Sequence, residues 1–163
     1  MPPLEKVARY EEILRRLDAL LVGETDEIAI MATIICELHH GFDHFHWTGF
    51  YRLTEPGMLR VGPYQGGHGC LAISLDRGVC GKCATDGETQ IVEDVNAIPW
   101  HIACSGTTRS EIVVPVKNRA GHVRAVLDVD SDFPSAFDST DAAYLEKICI
   151  FLTGASSGAR HCQ

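Results

Sequence analysis

At 163 residues the chain suffices for one domain that buries about 70% of its unfolded surface, and its formal net charge of −8 argues against a nucleic acid or an anionic membrane as partner. No apolar run approaches the roughly 18 residues of a membrane span. The N-terminal Met-Pro-Pro-Leu-Glu-Lys lacks the charged-then-apolar layout of a signal peptide, so a cytoplasmic protein is expected.

Residues 4–22 carry Leu4, Val7, Ile13, Leu14, Leu17, Leu20 and Leu21, a helical stripe stopped by Gly23. Thr25 is expected to cap a second helix that holds Asp26 and Glu27 in its first turn and closes at Gly41. His39, His40, His44 and His46 straddle that helix end without a fixed ligand geometry, and they read as a polar terminus before a metal site. The period then changes to two: Trp47, Gly49, Tyr51 and Leu53 alternate with Thr48, Phe50 and Arg52, and a turn at Glu55, Pro56 and Gly57 leads to a strand from Met58 to Gly62. From Pro63 to Ser110 the pattern is irregular, with short strands expected at 71–74 and 89–92 and a short helix beginning near Val79. A second hairpin follows, 111–116 and 123–129, turning around Asn118 to Gly121. Asp138 or Ser139 caps a last helix bearing Leu145, Ile148, Cys149 and Leu152 at helical spacing. Helices at both ends of a hairpin-rich middle predict an α+β fold, an antiparallel sheet with helices packed on it, as one domain over residues 1–163.

Seven cysteines is an odd number, which argues against a fully paired secreted framework; in a reducing compartment they pack, bind metal or react. Cys36 and Cys149 lie at apolar positions of predicted helices and are expected in the core, while Cys162 is near the end and expected to be exposed. Cys70, Cys80, Cys83 and Cys104 fall in Gly-rich or loop-like sequence, a poor place for a buried hydrophobe, and so are the thiols expected to do redox chemistry. Cys80 and Cys83 form a Cys-x-x-Cys with Cys80 near a helix N-terminus, where its thiolate is favoured. The same pair could be half of a zinc site, but no second Cys-x-x-Cys exists, and Cys70, Cys104 or a histidine would have to complete it. His101, three residues before Cys104, either promotes that thiol's ionisation or simply hydrogen-bonds its loop.

Asp128 and Asp130 stand two apart in a strand and share a face, with Leu127 and Val129 on the other. A hairpin turning symmetrically about Arg119 and Ala120 puts Glu111 opposite Asp128 and diagonal to Asp130. Three crowded carboxylates raise one another's affinity for protons and could supply an acid near neutral pH; a solvated sheet face is the alternative. Trp47 and Tyr51, separated by Gly49, either wall a small pocket or pack a core.

Taken in order, Trp47-Thr48-Gly49-Phe50-Tyr51, Gly62-Pro63-Tyr64-Gln65-Gly66, Cys70, Arg77-Gly78-Val79-Cys80-Gly81, Glu93-Asp94-Val95, His101-Ile102-Ala103-Cys104, Ser110 to Pro115 and Val126 to Ser131 resemble the free methionine-(R)-sulfoxide reductases, which are single GAF domains. The resemblance runs from about residue 4 to 155 and includes the cysteine spacings of 10 and then 24 residues. It implies a GAF-like six-stranded antiparallel sheet flanked by N- and C-terminal helices, a closed pocket on one sheet face, and a homodimer. It also implies Cys104 as attacking thiol, Cys70 as main resolving thiol and Cys80 as a secondary one. Glu111, Asp128 and Asp130 would hold the substrate ammonium and the sulfoxide oxygen, with Asp94 a further candidate, and Trp47 and Tyr51 would receive the S-methyl group. No bound cofactor or metal is implied; thioredoxin, coupled to NADPH, is the expected reductant. The chain departs from the family pattern at Cys83, where a small residue is expected, and at Trp100, where glycine is expected. A GAF-type small-molecule or redox sensor is the rival reading, yet no output domain follows Gln163 and a pure sensor has no use for three cysteines beside its pocket.

Overall fold

The helical and alternating stretches of the chain become α1 (Pro3–Leu20), α2 (Glu27–Gly41), β1 (Trp47–Glu55), β2 (Met58–Gln65), β3 (Ala72–Ser74), α3 (Gly78–Asp86), β4 (Gln90–Val92), β5 (Ser110–Lys117), β6 (Val123–Ser131) and α4 (Ser139–Cys149). Single 3-10 turns lie at Val95–Ala97 and Ile150–Leu152. The structure, a computed structural model, describes residues 1–98 and 106–154.

Caps explain where the helices begin. α1 starts on a proline, whose missing N–H costs nothing in a first turn. α2 is capped by Asp26, whose carboxylate accepts from the Ala29 N–H at 2.9 Å, and not by Thr25 as expected. Glu24 is the reason: its side chain accepts from the N–H groups of both Thr25 and Asp26, which holds the turn one residue longer. Asp138 caps α4 in a reciprocal capping box with Asp141.

The six strands form one antiparallel sheet in the order β3-β2-β1-β6-β5-β4. Period-two alternation sorts its side chains. Phe50, Leu127, Val129, Ile112 and Val114 pack under α1, α2 and α4 in the larger core. Trp47, Tyr51, Val126 and Val113 face the other way and meet α3 through Val79, Cys80 and Cys83. Cys149 is buried as expected, but Cys36 is exposed, on the solvent side of α2 beside His40. Helical spacing alone could not tell the edge of the apolar stripe from its centre.

The β5–β6 register also differs from the symmetric hairpin expected. Glu111 pairs with Asp130, and Val113 with Asp128. The Asn118 side chain gathers the N–H groups of Ala120 and His122, and a register shift falls between Val116 and Lys117. Together they move the strand pairing by two residues without changing which face the carboxylates occupy.

A buried polar network ties α1 to the start of α4. The Lys6 ammonium donates to Asp141 at 2.6 Å and to Asp138 at 2.9 Å, and the Tyr10 hydroxyl donates to Asp141 at 2.8 Å. Burial alone would lower the Lys6 ammonium, but its two carboxylate partners outweigh that and raise it. Burial alone would raise Asp138, yet Lys6 and the backbone N–H groups of Thr140 and Asp141 bring it to about 2. A depressed carboxyl stabilises the fold above the ordinary carboxylate range and loses that contribution as pH falls toward 2. A raised ammonium loses its contribution as pH climbs through its folded value. Asp141→Ala leaves the Tyr10 hydroxyl without its carboxylate and Lys6 with Asp138 alone, so urea unfolding at neutral pH should show a loss of about 2 kcal/mol. The difference from wild type should shrink as pH climbs through the Lys6 titration.

Candidate active site

The sheet face that meets α3 carries the chemistry-bearing residues in three cross-strand rows. Trp47, Asp130 and Glu111 form the first, Gly49, Asp128 and Val113 the second, and Tyr51, Val126 and Pro115 the third. Directly opposed residues in such a ladder have Cβ atoms about 5 Å apart, so aromatic rings and carboxylates share one small volume.

Glycine makes room for the aromatic wall. A Cβ at Gly49 would stand 2.4 Å from the Trp47 indole and 2.6 Å from Tyr64, its partner on β2. A Cβ at Gly69 would stand 2.8 Å from the same indole and 3.0 Å from the Tyr51 hydroxyl. The indole therefore lies between two bare backbones. It stacks on Tyr51 at 5.7 Å and on Tyr64 at 5.5 Å, and its N–H donates to the Gly67 carbonyl at 3.1 Å. The segment from Gly66 to Gly69 is thus laid over the aromatic wall, and Cys70 at its end is half-buried against the same cluster. Tyr64 was not singled out from the sequence. The signal was present, since a large aromatic on a strand commonly covers a glycine on its neighbour.

Glu111 and Asp128 are buried and Asp130 is half-buried. Burial, then the charges of Asp130 and Glu111, push the Asp128 carboxyl far above the usual range. Burial, then Glu111 and Asp132, do the same to Asp130. Both therefore keep a proton to higher pH than an exposed carboxyl does. Burial and then Asp128 also raise Tyr51, whose hydroxyl stays a donor.

The cysteines have separate fates. Cys70 is disulfide-bonded, whereas Cys36, Cys80, Cys83 and Cys149 are free. Cys80 and Cys83 lie on α3, the short helix expected to begin near Val79, but both are buried, against the expectation that this Gly-rich stretch holds no buried hydrophobe. The Cys80 thiol donates to Asp128 Oδ2 at 3.4 Å, and the Cys83 thiol to the Val113 carbonyl at 3.5 Å. Nor is a Cys80 thiolate favoured by its helix terminus: burial, then the charges of Asp128 and Glu111, drive that thiol upward, and burial does the same to Cys83. Asp94 caps the 3-10 turn at Val95–Ala97 through the Asn96 N–H and pairs with Arg109 at 3.3 Å. Trp100, His101, Cys104 and Cys162 lie outside the described residues.

Comparison with known proteins bears on this arrangement. The GAF domain family model matches residues 24–149. The free methionine-R-sulfoxide reductase of Saccharomyces cerevisiae is 36% identical over 161 residues, covering 91% of this chain and 89% of the yeast protein. The enzyme of that name from Escherichia coli is 36% identical over 147 residues, covering 89% and 87%. The crystal structure of the free methionine-R-sulfoxide reductase from Neisseria meningitidis in complex with its substrate superposes with a TM-score of 0.83 at 41% identity, covering 88% of this chain and 86% of that one.

The carboxylate rows generate a stability prediction. An acid whose folded pKa is raised keeps its proton longer in the native state. Its contribution is complete below the ordinary carboxylate pKa of about 4 and is lost as pH rises through the folded value. Asp130→Asn removes one such charge and relieves its neighbours, so the variant should be at least as stable as wild type at neutral pH, and Glu111→Gln should likewise keep its stability. The advantage of Asp130→Asn should vanish near pH 4, as urea midpoints across that range will reveal.

Proposed function

The chain belongs to the GAF-domain family of free methionine-R-sulfoxide reductases, and from that premise we propose that it reduces free L-methionine-(R)-sulfoxide to L-methionine through thiol chemistry. The observation that carries this reading is the meeting of Trp47 and Tyr51 with Glu111, Asp128 and Asp130 on one sheet face, beneath the segment that ends at Cys70. A free amino acid has an ammonium group and an S-methyl group at opposite ends. Carboxylates suit the first and an aromatic wall the second.

Asp130 or Glu111 protonates the sulfoxide oxygen as the Cys104 thiolate attacks sulfur, and that oxygen leaves as water. A water molecule then attacks the cysteine sulfur, methionine departs with the electron pair, and Cys104 is left as sulfenic acid. Condensation with the Cys70 thiol releases water and forms a disulfide. The sum is one sulfoxide and two thiols converted to methionine, one disulfide and one water. Thioredoxin, supplied by NADPH, restores the dithiol. A disulfide at Cys70 supports its resolving role, and the burial of Cys80 beside Asp128 fits a secondary one. Asp94, paired with Arg109, is a further residue to hold the substrate in this scheme. The enzyme acts as one domain, in the cytoplasm, and as a homodimer; no described helix is long and apolar enough to cross a membrane.

An NADPH-coupled thioredoxin assay with the two epimers of free methionine sulfoxide tests the reading. Turnover should be seen with the R epimer and be slight with the S epimer. A peptide-bound sulfoxide, whose amine is blocked, should be poor. Glu111→Gln and Asp130→Asn should each lower turnover at least about a hundredfold, the scale of a lost positioned acid. Equal activity on an oxidised protein would refute the proposal.

The cysteine roles separate in a single turnover. Cys104→Ser should release no methionine. Cys70→Ser should release about one methionine per chain and then stall with thioredoxin, apart from slow rescue by Cys80. Peptide mapping of the oxidised wild type should find Cys70 joined to Cys104. Sustained turnover by Cys104→Ser would overturn the assignment, and an 80–83 disulfide as sole product would move the resolving role to that pair.

A further inference from the structure

Cys80, Glu111 and Asp128 each offer a ligand atom, and those atoms lie within 4.8 Å of one another. All three residues are buried. A tetrahedral zinc ion with bonds of about 2.0–2.3 Å separates its ligand atoms by about 3.3–3.6 Å. The Cys80 Sγ to Asp128 Oδ2 edge, at 3.4 Å, already has that length. Asp128 Oδ1, buried on a residue only 6% exposed, has no hydrogen-bond partner among the described residues.

We propose that Cys80, Glu111 and Asp128 form a binding site for one thiophilic divalent cation, of which Zn2+ is the type. Sulfur beside two carboxylates selects against Mg2+ and Ca2+, which take oxygen alone, and toward zinc or cadmium. Binding displaces the Cys80 thiol proton, and any proton on the two carboxyls, to solvent, and sets the resulting negative charges around a cation instead of against one another. The three ligands leave a coordination position to water.

The frame is rigid enough to hold such a site. Cys80 sits on a helix whose Gly81 packs so close that a Cβ there would stand 2.7 Å from the Leu75 carbonyl. Glu111 and Asp128 are on interior strands, each paired on both sides. A metal held here occupies the carboxylates assigned above to the substrate ammonium, so it inhibits in competition with substrate; that consequence alone rests on the proposed function.

The test is titration of the metal-free full chain with Cd2+, read by its thiolate charge-transfer absorption, with Zn2+ affinity measured against a chromophoric chelator. One cation per chain should bind, and excess Mg2+ should not displace it. Cys80→Ser should lose the absorption, and Asp128→Asn should weaken binding at least about tenfold. At equal concentration Zn2+ should raise the Tm of wild type more than that of Asp128→Asn, and an equal rise overturns the site, which keeps the test decisive if the serine variant folds poorly. Cys36→Ser, which removes the exposed thiol 4.0 Å from His40 Nδ1, should bind as wild type does. Absorption that persists in Cys80→Ser, or is lost in Cys36→Ser, overturns the site. Turnover of the metal-free enzyme is scored separately: its absence would refute the reductase reading and leave the metal site standing.

Discussion

Three carboxylates crowd one face of an otherwise apolar sheet, and the rest of the molecule accommodates that repulsion. Glu111, Asp130 and Asp128 occupy neighbouring rows of β5 and β6, where water is too scarce to screen them. Such groups keep protons, take hydrogen bonds from a neighbour such as the Cys80 thiol, or wait for a cation. Each of those answers is useful to a site that must receive an ammonium and protonate an oxygen. The opposite face bears the burden of stability. There Phe50, Leu127, Val129, Ile112 and Val114 pack against three helices. The same strands thus present a conventional core on one side and an electrostatically unfavourable pocket on the other.

The aromatic wall depends on a second constraint, the absence of side chains at Gly49 and Gly69. With bare backbone on both sides, the Trp47 ring can lie flat between Tyr51 and Tyr64 and reach the Gly67 carbonyl with its N–H. That contact anchors the segment leading to Cys70. The thiol's position and the shape of the apolar end of the pocket are therefore set by the same ring.

Identical side chains diverge according to where the fold places them. Cys149 is core packing, Cys36 is exposed, and Cys83 fills space beneath β5 with its thiol on a backbone carbonyl. Cys80, one helical turn away, points instead at a carboxylate. Nothing in the thiols themselves distinguishes these roles. Burial and the nearest charge decide them.

The local pattern of the chain was enough to locate α1 to α4, both hairpins and the sharing of one face by Trp47, Gly49 and Tyr51, because helical and strand periods of apolar residues follow directly from backbone geometry. It also grouped Asp128 with Asp130, and the spacing of Cys70, Cys80 and Cys104 carried the family resemblance. It could not assign Glu111 its partner, since the register depends on how Asn118 folds its own turn and on the register shift before Lys117. It placed Cys36 inside and left Cys80 and Cys83 out of the core, because burial is decided by elements distant in sequence. Residue identity and period are local and survive in one dimension. Register, burial and the charges that surround a thiol are sums over neighbours brought together only by the tertiary fold.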